Sequence, residues 1–403
     1  RVAIQAGSDP RQHSSQEPFV GADPTVDRNR TLREMGATFE GGFSTEGGEE
    51  LKVYGKYWGR DAINITVGGK NCQNRTVPRC VNTILNYSCP DHYWYATCVV
   101  PPGQGRNRKV IIIRNNRKSC STDSRDGTNC LFVVHYKPPS INNVTLPGSS
   151  GMMNTKGDQW ITITGENFGI GGTGNHIARE HDSGDWREYL ELDEVALYYG
   201  NSPDKHDNMR SPECKVVARH TKLKCKTAPG VGKDYQFIVV VGQQRSSRSE
   251  TKLSYKAPVI NDFYSLGSDE FTTSGGERFR IRGEQLGPSK MGINPRSDVN
   301  VAVYYGENSK YLASDCEISL SHENIDCITV AGVGRDHNLV VKVGNQTSEA
   351  YTNQTLNYGP PIITSYEGVG ADEASTTGKQ KVILHGNNFG TGTRGQNLDI
   401  TFS

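Results

Sequence analysis

Short stretches of alternating apolar and polar residues recur along the chain, each about as long as one β-strand and bounded by glycine. The pattern is clearest in four similar blocks, at 47–59, 156–169, 275–287 and 377–390. Each block predicts a turn, a strand and then Gly-x-x-aromatic/Leu-Gly, whose glycines we expect to take positive φ where the chain leaves the strand. The large residue between the glycines is expected to close one end of a core; it is Trp58, Phe168, Leu286 or Phe389.

Three further signals keep the same register in the first three blocks. A cysteine is followed by glycines five and seven positions later, a β-branched run begins twelve positions after that cysteine, and an aromatic residue followed by proline closes the repeat. The cysteines are Cys98, Cys225 and Cys327, and the closing aromatics are Tyr136, Tyr255 and Tyr358. At least five short strands per repeat, frequent turn signals and no amphipathic helix predict an immunoglobulin-like β-sandwich.

Length and composition agree with several small domains. The chain of 403 residues is too long for one sandwich, and 34% hydrophobic residues with 45 glycines can fill several small cores but not one large core. The formal net charge of +1 excludes a basic field over the whole chain as the basis for nucleic-acid or membrane binding. No apolar run approaches the roughly 20 residues of a membrane-spanning helix.

The repeat resembles the IPT/TIG domain. The resemblance rests on Pro-x-Ile, then Gly-Gly-x-x-apolar-x-Ile-x-Gly-x-Asn-Phe-Gly, then Cys-x4-Gly-x-Gly and the Tyr-Pro junction, and it covers the chain beyond about residue 24. It implies an all-β array of immunoglobulin-like sandwiches of about 85–100 residues each. The first repeat departs from the pattern, because Tyr57 and Trp58 replace Asn-Phe and four extra cysteines are present.

The repeat register predicts the domain boundaries. Residues 1–23 are expected to be the end of a preceding repeat, 24–137 a divergent, cysteine-rich first repeat, and 138–256 a second repeat with an acidic insertion at about 170–194. A third repeat is expected at 257–359 and half of a fourth at 360–403. Either the chain is a window on a longer repeat protein, or successive protomers complete one another's sandwiches by strand addition. We favour the first interpretation, a segment of a longer repeat protein, and expect Ser403 of one copy to lie near residues Val2 to Ala6 of the next.

The cysteines and glycosylation acceptors indicate an extracellular or cell-surface protein. Ten cysteines occur without a CxxC pair or zinc-finger spacing, which favours disulfides formed in an oxidising compartment. The seven N-x-[ST] acceptors are Asn29, Asn64, Asn74, Asn86, Asn143, Asn345 and Asn353. We expect glycans on at least Asn74, Asn86, Asn345 and Asn353.

Two disulfides are predicted from cysteine pairs that recur in register, Cys214 with Cys225 and Cys316 with Cys327. The six cysteines of the first repeat allow fifteen pairings. Because Cys98 matches Cys225 in the repeat, Cys89–Cys98 is the pairing that the analogy favours, and local order then suggests Cys72–Cys80 and Cys120–Cys130.

Other candidate chemistry has a plainer explanation. The insertion after Gly169 carries seven carboxylates but lacks the calcium-loop spacing, so a solvated acidic loop is favoured over a calcium site. Six basic residues flank the strand 110–113, namely Arg106, Arg108, Lys109, Arg114, Arg117 and Lys118. They suggest either a binding site for sulfated or carboxylated glycan or charges that protect a strand edge from aggregation, and we favour the second interpretation. The Gly-rich segment 170–174 is expected to be a loop rather than a phosphate cradle, because no helix follows it.

The sequence therefore predicts a non-enzymatic, structural or adhesive segment of a glycosylated extracellular fibre or cell-surface stalk. We expect no catalytic residues, no metal and no cofactor beyond covalent N-glycans. The expected partners are further copies of the repeat chain, arranged head to tail, and the additional candidate partners are glycans or a surface protein. We expect neither a nucleic-acid partner nor a membrane span. The alternative is the ligand-binding ectodomain of a surface receptor with the same domains.

Overall fold

The computed structural model describes residues 24–27, 30–31, 41–58, 62–80, 93–119, 132–148, 151–171, 195–201, 209–267, 270–289, 299–392 and 398–401. In these residues the fold is almost entirely β, and it forms three successive two-sheet sandwiches followed by a hairpin. Each sandwich has its own cluster of buried apolar side chains. The all-β, tandem immunoglobulin-like prediction is confirmed.

The first sandwich packs a three-stranded sheet against a five-stranded sheet. One sheet has the order β1-β5-β4, and the other has the order β3-β2-β6-β7 with β8 also paired to β6. The strands are β1 (Glu50–Lys56), β2 (Asn64–Val67), β3 (Lys70–Asn71), β4 (Arg79–Cys80), β5 (Tyr93–Val99), β6 (Arg108–Arg114), β7 (Arg117–Lys118) and β8 (Val133–Val134).

The second sandwich packs two four-stranded sheets, with the orders β14-β15-β11-β9 and β13-β12-β16-β17. A short parallel pair, β10-β18, lies beside them. The strands are β9 (Ser140–Thr145), β10 (Met152–Met153), β11 (Trp160–Glu166), β12 (Val195–Gly200), β13 (Met209–Arg210), β14 (Cys214–Ala218), β15 (Lys222–Lys226), β16 (Gln236–Val241), β17 (Gln244–Arg245) and β18 (Ser254–Tyr255).

The third sandwich repeats this arrangement with the orders β19-β20-β24-β23 and β22-β21-β25-β26, and β27 also pairs with β25. The hairpin β28-β29 follows. The strands are β19 (Val259–Ser265), β20 (Arg278–Glu284), β21 (Val301–Tyr305), β22 (Tyr311–Leu312), β23 (Ser314–Leu320), β24 (Asn324–Ile328), β25 (His337–Val343), β26 (Gln346–Thr347), β27 (Tyr351–Leu356), β28 (Ile362–Glu367) and β29 (Ile383–Asn387). Short helical turns occur at Glu307–Ser309 and Val369–Asp372.

The large residue of each of the first three blocks closes a core, as predicted. Trp58, Phe168 and Leu286 are fully buried, and Phe389 of the hairpin is half-buried. Burial of a side chain of this size contributes about 2 kcal/mol or more to each core.

The two glycines of each block have different roles, which corrects the expectation that both take positive φ. The first lies inside the strand, where a neighbouring backbone approaches closely: a Cβ at Gly165 would stand 2.0 Å from the Ser140 carbonyl oxygen, and one at Gly283 would stand 2.0 Å from that of Val259. In the three later blocks only the last glycine has positive φ, as at Gly169 with 76°. The last glycine of the first block, Gly59, lies outside the described residues. The first position therefore excludes side chains by contact and the last by backbone conformation.

A tyrosine packed on a glycine explains the Cys-x4-Gly pattern. The closing tyrosine of each repeat lies over the first glycine after the cysteine, so that a Cβ at Gly332 would be 2.6 Å from the Tyr358 ring. The Tyr358 hydroxyl donates to the Val330 carbonyl at 2.5 Å and lies 2.9 Å from the Tyr305 hydroxyl. Burial and this hydroxyl contact raise the pKa of Tyr358, so the pair stays neutral and hydrogen-bonded.

The structure joins Cys214 to Cys225 and Cys316 to Cys327, each across two directly neighbouring strands. In the first sandwich it joins Cys72 to Cys98, so the expected bonds Cys72–Cys80 and Cys89–Cys98 are wrong. The strand β4 beside β5 comes from residues before 81, and Gln73 pairs directly with Val99. The Cys72 and Cys98 Cα atoms are therefore 5.6 Å apart. Cys89, Cys120 and Cys130 lie outside the described residues.

Candidate functional site: the junctions between sandwiches

The contacts between successive sandwiches begin at a buried threonine in the turn before each repeated strand. Thr45, Thr155 and Thr273 occupy equivalent positions and are almost completely buried. Their carbonyl groups accept hydrogen bonds of 2.9–3.0 Å from the backbone of Gly103, Gly230 and Gly332. Since each threonine is held by the end of its own sandwich, it presents a fixed polar surface to the next.

An amide side chain of the next sandwich contacts each threonine. Thr45 Oγ1 donates to Asn167 Oδ1 at 3.3 Å, and the Thr155 backbone N–H donates to Gln285 Oε1 at 2.9 Å. At the third position the Thr273 N–H donates to Asn388 Oδ1 at 3.3 Å. The Asn of the Gly-x-Asn-Phe-Gly block is therefore an inter-sandwich contact, which the sequence analysis missed.

A histidine from a hairpin turn reaches the same threonine at the first two junctions. His220 Nδ1 lies 2.9 Å from Thr45 Oγ1, and His322 Nδ1 lies 3.0 Å from Thr155 Oγ1. Burial lowers the pKa of both imidazoles; Arg219 also lowers that of His220, and Lys156 also lowers that of His322. Both rings are therefore neutral at pH 7.

A glutamine forms a second contact at the far side of each junction. Gln244 Nε2 donates to the Tyr136 carbonyl at 2.7 Å, and Gln346 Nε2 donates to the Tyr255 carbonyl at 2.7 Å. Gln346 Oε1 also accepts from the Gly232 N–H at 3.0 Å, so this one side chain bridges two backbone groups of the preceding sandwich.

At both junctions between sandwiches, the last glycine of the block makes room for a side chain of the preceding sandwich. Val231 packs against the core of the third sandwich, and a Cβ at Gly287 would stand 2.4 Å from its methyl group. At the first junction Gln104 takes this place and accepts from the Ile170 N–H at 3.0 Å. The block thus closes one core and contacts the neighbouring sandwich at once.

The glycosylation acceptors are distributed over exposed and junction positions. Asn74, Asn143, Asn345 and Asn353 are exposed, Asn64 is half-buried on β2, and Asn29 and Asn86 lie outside the described residues. Asn345 Oδ1 accepts from the Lys233 N–H at 2.9 Å across the second junction. Glycans at these positions remain a prediction.

Among the described residues, the other candidates do not assemble into a site. Arg108 is buried and its Nε donates to the Gln104 carbonyl at 2.5 Å, while Arg114 donates to the Tyr57 carbonyl at 3.1 Å, so the six basic residues around 110–113 do not form one patch. The acidic insertion lies outside the described residues from 172 to 194. Within the described ranges, no group of three or more His, Cys, Asp and Glu side chains could hold a metal ion.

In the part of the chain that the structure describes, no helix is long and apolar enough to cross a bilayer.

The family model of the IPT/TIG domain matches residues 42–128. No curated protein sequence matches the chain.

Among solved structures, the chain resembles the full extracellular region of plexin A4 at 13% identity and a TM-score of 0.23, over 87% of this chain and 35% of that one. It also resembles a surface glycan-binding protein of Prevotella bryantii (10% identity, TM-score 0.29, 53% of this chain and 41% of that one). A third similar structure is the Escherichia coli adhesin FdeC (10% identity, TM-score 0.24, 85% of this chain and 100% of that one). The chain spans about a third of the plexin region that it matches.

The structural disulfides agree with an oxidising compartment, and the protein is extracellular or exposed on a cell surface. The family match lies in the first sandwich, and the next two repeat its glycine, tyrosine and cysteine positions. The chain is therefore a tandem array of immunoglobulin-like β-sandwiches, the first of which matches the IPT/TIG domain model.

Proposed function

We propose that the chain is a non-enzymatic structural or adhesive segment of a glycosylated extracellular fibre or stalk, in which the sandwiches follow one another head to tail. The observation that carries the proposal is the recurrence of one set of contacts at successive junctions. A threonine, a facing amide and a bridging glutamine occupy equivalent places at both junctions between complete sandwiches.

These contacts favour a semi-rigid array over freely jointed domains. At the junction of the second and third sandwiches, the side chains of Gln285, His322 and Gln346 form hydrogen bonds with the second sandwich. Val231, which is partly buried, packs against the core of the third sandwich at the same junction. A typical intramolecular hydrogen bond contributes about 1 kcal/mol net, so the set stabilises one orientation by a few kcal/mol. Bending at the junction would break several of these contacts at once.

The hairpin β28-β29 supports continuation of the array. It makes the same threonine–amide contact to the third sandwich. Its apolar residues Ile363 and Tyr366 match the buried Ile260 and Phe263 of β19 but are more than half exposed. In a complete sandwich such residues face a second sheet. We propose that further strands of the array cover this face.

Electron microscopy of the native material tests the proposal. We expect linear filaments or stalks with a regular axial spacing of one immunoglobulin-like sandwich. Compact, isolated particles without a linear repeat would contradict it. Small-angle scattering of the chain in solution provides the second test: an elongated particle is expected, and a compact particle would contradict a semi-rigid array.

A further inference from the structure

The outer face of one sheet in the second sandwich carries a dense group of lysines, here called the lysine face. On β15, the outward Lys222, Lys224 and Lys226 alternate with the fully buried Leu223 and Cys225. Lys215 on the neighbouring strand β14 is also exposed. The whole chain is almost neutral, so this is a local concentration of positive charge.

The lysine face contains like charges in direct opposition. Lys215 pairs with Lys224 across the β14–β15 ladder, an arrangement that destabilises a sheet when the charges are unpaired. Lys226 contacts Asp158 at 2.8 Å and Glu213 at 3.4 Å. No carboxylate of the described residues lies within 4.0 Å of the ammonium groups of Lys215, Lys222 or Lys224.

Trp160 holds two of these ammonium groups together. Lys215 Nζ lies 4.4 Å and Lys226 Nζ 5.3 Å from the centroid of its ring. The negative face of an indole attracts cations, so the ring offsets part of the repulsion between the two lysines and fixes their positions. The two charges are thereby pre-arranged for a shared anionic partner.

The equivalent face of the third sandwich shows that the fold itself needs no unpaired lysines. There Asp326 occupies the position of Lys224 and receives two hydrogen bonds from Arg280, at 2.6 and 2.7 Å. Arg282 is paired with Asp262 at 2.6 Å. Protection of a strand edge does not explain the three lysines of β15 either, because β15 is paired on both sides.

We propose that the lysine face binds an anionic polysaccharide, one that carries sulfate or carboxylate groups. Lys222 and Lys224 are two residues apart on one strand, about 7 Å, and Lys215 lies on the next strand, so the charges form a flat grid. A linear polymer with a negative charge on successive sugar units can contact several of these lysines at once. The extracellular location brings the face into contact with such polymers.

The test measures binding of a fluorescent heparin dodecasaccharide to the whole chain by anisotropy in 0.15 M salt. The variant K215S/K222S/K224S removes three exposed charges of the face, and we expect its affinity to fall by about tenfold or more. The matched control K233S/K252S/K256S removes three exposed lysines of the same sandwich that lie outside this sheet. Its affinity should stay within about twofold of the wild type.

Parallel titrations identify the chemistry of the ligand. Polygalacturonate, which carries only carboxylates, tests whether sulfate is required, and poly-glutamate tests whether any polyanion suffices. Binding of either polysaccharide with loss only in the K215S/K222S/K224S variant supports the proposal. The proposal is overturned by no binding of the wild type, by equal loss in both triple variants, or by tighter binding of poly-glutamate than of both polysaccharides.

Discussion

The tyrosine that closes each repeat should make the glycine beneath it irreplaceable, and Gly332→Ala tests this in the third sandwich. Gly332 does not have positive φ, so the substitution perturbs packing without forcing an unusual backbone. The new Cβ would stand 2.6 Å from both Cζ and Oη of Tyr358, whose side chain is almost fully buried and cannot move aside freely.

The expected loss of stability follows from these contacts. Overpacking of a core costs about 1–3 kcal/mol. Displacing the Tyr358 ring also weakens the hydroxyl contacts with Val330 and Tyr305, each of which contributes about 1 kcal/mol. We therefore expect Gly332→Ala to destabilise the third sandwich by about 2–4 kcal/mol.

Hydrogen exchange of the amides in β25 measures this loss within one sandwich of a multi-domain chain. Gly267→Ala is the matched control, because a Cβ there meets no atom within 4 Å and the residue lacks positive φ. In a Tyr358→Leu background, the cost of Gly332→Ala should fall by at least about 1 kcal/mol. Equal effects of the Gly332 and Gly267 substitutions would refute the reasoning.

Three further predictions concern the disulfides, the junction histidine and the glycans. Replacing Cys316 and Cys327 together with alanine should destabilise the third sandwich by about 3 kcal/mol, measured by the same exchange, and unchanged protection would contradict a stabilising cross-link. Because the pKa of His322 is lowered in the folded chain, the unfolded or opened state binds protons more readily, and stability should decline as pH falls below 6.5. His322→Gln should flatten this decline, and an NMR-measured pKa at or above 6.5 would contradict it. The secreted protein should lose mass at Asn353 after enzymatic deglycosylation, whereas a peptide without that mass change would exclude a glycan there.

The sequence predicted those features of the fold that depend on local pattern. Alternation within the blocks identified the strands. Phe168 and Leu286 were placed correctly in the cores because a large apolar residue that recurs between two glycines at the end of a strand is expected to be buried. The Cys214–Cys225 pairing was accessible from the spacing, since the same spacing recurs in the next repeat.

The roles that depend on a neighbouring sandwich could not be predicted in this way. Asn167 and Gln285 are chemically similar residues at one repeat position, but only the folded array shows that they contact Thr45 and Thr155. The Cys72–Cys98 bond was missed because the analogy with Cys214–Cys225 assumed that Cys98 pairs with the cysteine just before it in the sequence, Cys89.

The lysine face illustrates a further limit of sequence analysis. Alternation along β15 places its lysines on one side, but the absence of a carboxylate close to Lys222 and Lys224 among the described residues depends on which strands lie beside it. The third sandwich has the same strand order and places Asp326 there instead.

A distance measurement across one junction tests the central claim that successive sandwiches are held in one orientation. Spin labels carried by non-canonical amino acids at the exposed positions Thr145 and Thr352 leave every cysteine in place. Pulsed electron paramagnetic resonance should give one narrow distance distribution for the otherwise unmodified chain. Q285A/Q346A, which removes three hydrogen bonds across the junction, should broaden it, whereas Gln354→Ala on the exposed surface of β27 should not. A broad distribution before either substitution would contradict the account.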